Sequence, residues 1–170
     1  ANIYMLNHEL AKYYALPGNF TEEFQRVVFT GEDLAKRGGI LTHGSILAIT
    51  SNPTRTSPVK RGKWVLENLL AAPPREPPPN VTELEEPITK DNRVLTLREQ
   101  MAQHSKNPMC YSCHANMDNL GYAMENFNAI GKWRKEEDGV PLDVLGKLSS
   151  GEKFDGVQEL QRFLKNHKKQ

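Results

Sequence analysis

The chain has 170 residues, 38% of them hydrophobic and 25% charged, and a net charge of +1. That balance suits a globule of one domain or two small ones with a modest core, and argues against disorder. It offers no electrostatic case for binding nucleic acid, and no apolar run reaches the ~20 residues that a helical membrane span needs.

Ile3, Leu6, Leu10 and Tyr13 recur at helical spacing, which predicts a helix over 2–15 ending before Pro17-Gly18. Phe24 to Phe29 reads as a short strand, and Arg37-Gly38-Gly39 as a turn. Ser57-Pro58 has the pattern of an N-cap followed by proline in the first helical turn. The helix it opens should bury Trp64, Val65 and Leu69. Pro73 to Asn80 is proline-rich and reads as a stiff connector. It divides an N-terminal helical or irregular module, 1–72, from a second module, 81–170.

In the second module Val94, Leu97, Met101 and His104 share one helical face, and Asn107-Pro108 should end that helix. A short helix is expected from Cys110, broken or bent at Gly121, with Met124, Phe127 and Ile130 continuing the apolar face. Residues 140–153 read as a loop or irregular hairpin. Asp155 with Gln158 resembles a capping box that opens a last helix, with Val157, Leu160 and Leu164 inward. No internal repeat is visible. The fold class is mainly α. Asn19-Phe20-Thr21 and Asn80-Val81-Thr82 fit a glycosylation sequon but read as ordinary loop residues.

The most specific feature is Cys110-Tyr111-Ser112-Cys113-His114, which uses both cysteines of the chain. Cys-x-x-Cys-His is the attachment pattern of a c-type haem. Each thiol adds across one vinyl group, forming a carbon–sulfur bond while its hydrogen passes to the vinyl carbon. The adjacent imidazole serves as an axial iron ligand. A zinc site would want a second ligand pair, and a thioredoxin-like dithiol would want a βαβ setting. One covalent haem c, held by Cys110, Cys113 and His114, is the expectation. Haem attachment of this kind is extracytoplasmic in bacteria, so the periplasm or the exterior follows as the location. No secretory signal is recognisable, and the chain reads as a processed form or a piece of a longer protein.

The sixth ligand is less constrained. His104 lies on an apolar helical face, and the short stretch before Cys110 can fold it over the opposite side of a porphyrin. His43, Met101 and an open position are the alternatives. Met117, one turn after His114, suits packing on the proximal side. His8 falls on the polar side of its helix, and His167 sits in a lysine-rich tail. Arg98, Trp133 and Arg134 are candidates for propionate contacts, as are Arg55 and Arg61 from the first module.

The pattern from His104 through Cys110, Cys113, His114, Met117 and Asp118, followed by Gly121-Tyr122-Ala123-Met124-Glu125-Asn126-Phe127-Asn128-Ala129-Ile130-Gly131-Lys132-Trp133-Arg134, resembles the C-terminal cytochrome-like modules of large secreted planctomycete and marine-bacterial proteins. Gly38-Gly39-Ile40-Leu41-Thr42 and Thr56-Ser57-Pro58-Val59-Lys60-Arg61-Gly62-Lys63-Trp64 resemble the module that precedes it. Asn119 and Asn128 stand where such modules usually carry proline and aspartate. The resemblance implies a small c-type cytochrome-like helical domain with the N-terminal module packed on it. It favours His104, with His114, as the iron-binding pair. It also implies a redox partner, a copper-dependent polysaccharide monooxygenase being one candidate, and other modules of a larger parent chain.

Three functions follow as expectations. The first is one-electron transfer by a six-coordinate monohaem domain, a carrier rather than an enzyme. The second is a peroxidase-like or ligand-binding haem with an open sixth position. The third is a docking module that the haem staples together.

Overall fold

The computed structural model describes residues 2–76, 89–90, 93–106 and 108–167. The N-terminal stretch departs from the predicted single helix. Residues Ile3–Leu6 form a strand, β1, and only His8–Tyr13 are helical, as α1. Asn7 separates them: its side-chain oxygen accepts the Leu10 N–H at 3.0 Å, the signature of an N-cap. Tyr4 and Leu6 alternate inward while Ile3 and Met5 face out, the period of a strand. The expected strand at 24–29 is present as β2, Gln25–Val28, and pairs antiparallel with β1, Ile3 opposite Val28. Tyr4, Leu6 and Phe29 form a small core beneath this hairpin, with Leu10 and Tyr14 packed against it.

Helix α2 covers Gly31–Lys36, and a 3-10 turn at Ile40–Thr42 leads into α3, Gly44–Ile49. The predicted turn at Arg37-Gly38-Gly39 buries its arginine. Arg37 is 2% exposed, its guanidinium lies 3.9 Å from the centre of the Tyr14 ring, and it donates to the Thr42 carbonyl at 3.0 Å and the Gly131 carbonyl at 2.6 Å. Helix α4, Pro58–Asn68, starts as the sequence predicts, with the Ser57 hydroxyl accepting from Lys60 N–H. Val65 is buried and Trp64 partly so, but Leu69 is exposed, because the helix ends at Asn68 before that face is completed.

Residues 77–80 of the proline-rich connector lie outside the described residues. Thr89–Lys90 and Arg93–Val94 pair as β3 and β4. Helix α5, Leu97–His104, opens with a capping box between Thr96 and Glu99. Helix α6 covers Pro108–Tyr122, beginning two residues before the expected Cys110 because proline is accommodated in its first turn. Gly121 does not break it; the helix passes through and ends at Tyr122.

Two further hairpins follow, β5 (Glu136–Glu137) with β6 (Val140–Pro141), and β7 (Leu145–Lys147) with β8 (Lys153–Asp155). The last helix, α7, runs Gly156–Asn166 and buries Val157 and Leu160. The capping box expected there is absent: Asp155 makes no side-chain cap, and Gln158 donates instead to the Leu34 carbonyl at 3.0 Å.

Helices hold 44% of the described residues and strands 14%. The expectation of a mainly α chain is therefore met only in part, since four two-stranded sheets edge the helices among the described residues. The principal core joins both sides of the connector. Leu47 and Val65 from α3 and α4 pack with Leu120 of α6, Phe127, Phe154 of β8 and Leu160 of α7.

The α4–α6 crossing needs two glycines. A Cβ at Gly62 would run into the Met117 carbonyl, and one at Gly121 into the Pro58 carbonyl. Beside the crossing, Arg61 is 1% exposed. Its Nη1 donates to the Met124 and Phe127 carbonyls and to Glu125 Oε1, each at 2.8 Å. Glu125 Oε2 accepts from Thr56 at 2.6 Å and from Arg134 at 3.1 Å.

A candidate functional site between helices α5 and α6

Helix α6 carries Cys110, Cys113, His114 and Met117 at spacings of three and four residues, which places them along one side of it. Both thiols are free and half-buried. His114 is half-buried, and its Nδ1 meets both oxygens of Asp118, at 2.9 and 3.0 Å. The carboxylate is almost enclosed, with 6% side-chain exposure. With Nδ1–H donated to Asp118, the free lone pair of the ring is on Nε2. The same hydrogen bond raises the imidazole's pKa above its ordinary value, partly opposed by burial.

Helix α5 presents His104 to this ring. The two imidazole centroids are 5.7 Å apart with planes 68° apart. Among the described residues, no three His, Cys, Asp or Glu side chains converge to hold a bare ion. Two free thiols, an imidazole with Nε2 free and a second imidazole beside it make up the donor set that a covalent haem would use.

A cleft of about 190 Å³ lies between the helices, lined by Arg98, Ala102, His114, Asp118 and Tyr122 among others. A shallower hollow of about 530 Å³ adjoins it through Ala102, Ser105 and Tyr111. Arg98 stacks over the Tyr122 ring at 4.1 Å and pairs with Asp143 at 3.1 Å. Burial, with help from the Asp118 charge, pushes the Tyr122 phenol well above its ordinary pKa.

The other residues singled out in the sequence lie in different surroundings. Met101 is buried on α5, and Met117 is buried on α6 where that helix crosses α4. His43 packs on the Tyr4 ring, with centroids 4.6 Å apart, beside the N-terminal hairpin. Arg134 is committed to Glu125 and Glu137, and Trp133 packs edge-on against Phe127. Arg61 is enclosed in the core, while Arg55 contacts the Thr56 carbonyl. Of the propionate candidates, Arg98 is the one that lines the cleft.

Asp118 is a site residue that the sequence reading gives no role beyond its place in the family-like pattern. Its signal was available: an acid four residues after a histidine in a helix faces it. The Arg61–Glu125 pair carried no comparable local signal.

No helix among the described residues is long and apolar enough to cross a membrane. Neither the curated proteins nor the solved structures contain a match to this chain. Residues 37–137 match PSCyt3, described as a protein of unknown function (DUF1588). That segment runs from the buried Arg37 through α4, α5 and α6 to β5, and so takes in the whole of the cleft. The chain belongs to the PSCyt3 family.

Proposed function

We propose that this chain is a monohaem c-type cytochrome domain that transfers single electrons outside the cytoplasm. The observation that carries the proposal is the facing pair His104 and His114, 5.7 Å apart, on a helix pair that also bears the two free thiols. Cys110 and Cys113 would hold the haem covalently, and His114 and His104 would bind its iron. When bound, the haem supplies a one-electron iron couple. The protein's part is to fix both imidazoles and limit the access of water and ligands to the iron. His104 sits in the last turn of α5, a helix whose first turn is fixed by a capping box.

A six-coordinate site of this kind binds no substrate, and its partner is another redox protein. The resemblance of the motif to secreted cytochrome-like modules suggests a copper-dependent polysaccharide monooxygenase as that partner, with the domain working as one module of a larger secreted or periplasmic protein.

Visible spectra of the protein produced with a haem-attachment system test the proposal. The expected wild type is low-spin in both oxidation states and unchanged by carbon monoxide or cyanide. His104→Ala should turn high-spin and bind both. Cys110→Ser with Cys113→Ser should abolish covalent haem. A wild type that is already high-spin would replace the carrier with an open, peroxide-reactive site. A wild type that takes up no haem would sink the reading.

A further inference from the structure

We propose that Asp118 is a positioning residue that sets both the tautomer of His114 and the potential of the iron that His114 would bind; the second part rests on the haem reading above. Three observations converge. Both carboxylate oxygens lie within 3.0 Å of His114 Nδ1, so the contact is shared rather than grazing. The side chain is only 6% exposed, which distinguishes it from a solvated helix-surface pair of small energetic consequence. The guanidinium that shares its cleft, Arg98, is engaged by Asp143 and stacked over Tyr122. A carboxylate withdrawn from water costs free energy unless a charged or hydrogen-bonded partner offsets it, and this one is directed at the imidazole.

Two effects follow from the geometry. Donation of Nδ1–H to Asp118 leaves Nε2 as the only ring nitrogen able to bind a metal, so the ring is prepared before any metal arrives. A full negative charge behind the ring also raises its basicity more than a neutral carbonyl would. Ligand basicity and nearby negative charge both stabilise ferric over ferrous iron. Asp118 therefore biases the domain toward a low potential, making its reduced form the stronger electron donor. The partner that reduces it must be a stronger reductant still.

The test compares wild type and Asp118→Asn, both with covalent haem, by spectroelectrochemical titration at one pH. The expected result is an upward shift of the midpoint potential in the variant with low-spin spectra in both. A potential that is unchanged or lower overturns the assignment, since loss of a merely structural contact has no reason to raise it. Nitrogen-15 spectra of the haem-free wild type, recorded at a pH where His114 is neutral, give a second readout. They should show the Nδ1–H tautomer, giving way to a mixture in Asp118→Ala. An Nε2–H ring in the wild type overturns the proposal even if the asparagine variant fails to load haem. Failure of the wild type to take up haem, with the tautomer as expected, removes the haem reading and the potential effect while the positioning of His114 stands.

Discussion

Glu125 joins three side chains in the core, Arg61, Thr56 and Arg134. Burial pushes its carboxyl pKa up, while Arg61, Thr56 and Arg134 pull it back. Removing the charge takes from Arg61 its ion-pair partner among the described residues. Glu125→Gln should therefore cost about 3–5 kcal/mol in urea unfolding, the range for breaking a buried pair. Tyr4 offers a pH test. Its hydroxyl bonds Thr42 at 2.5 Å and the Gly39 carbonyl at 2.8 Å, and burial raises its pKa to about 12. The unfolded phenol loses its proton near pH ~10, so the unfolded state binds fewer protons above that point. The stability Tyr4 contributes is complete below pH ~10 and is lost progressively as pH rises toward 12. Denaturation midpoints across that window should fall in the wild type and fall less in Tyr4→Phe. At this scale the cysteines and histidines of the site were legible in the sequence, because their spacing on one helix is local. Arg61 and Glu125, 64 residues apart, were not. Arginine and glutamate are ordinarily exposed, and only the fold brings these two together.

Among the elements, α4 and α6 are the pair that positions the site, and they meet backbone to backbone. Gly62→Ala or Gly121→Ala must push the helices apart, and each should cost at least about 1–3 kcal/mol, the usual range for overpacking. Ser57→Ala, which removes only a cap on α4, should cost about 1 kcal/mol and serves as the contrast in the same denaturation series. The starts of α4 and α5 and the strand at 25–28 were readable from caps and pattern. The first helix was misread because Ile3, Leu6 and Leu10 fit a helical period while Tyr4 and Leu6 equally fit a strand. The partner strand decided between the two, and it lies some twenty residues on. The supposed capping box at Asp155 failed for a related reason: Gln158 found a better acceptor, Leu34, across the molecule.

For the molecule as a whole, the proline-rich stretch divides the sequence more sharply than it divides the core. Leu41, Leu47, Val65 and the Arg61 guanidinium are all supplied from before it. A chain beginning at residue 81 should therefore lack cooperative unfolding and be cut rapidly by protease, whereas the intact protein resists; a sharp transition in the short chain would contradict the shared core. Within the intact chain, contacts differ greatly in sequence separation. His104 and His114 meet across a span of about ten residues, a distance that closes in roughly 10–100 ns. Arg61 reaches Glu125 across 64, at a higher entropic cost of closure. Assembly should thus be ordered in time, with the histidine pair meeting transiently in a chain that is still open and α4 docking on α6 afterwards. A haem of the kind proposed would then meet the local helix pair before the remainder has folded, and its attachment would not wait on prying open a finished globule.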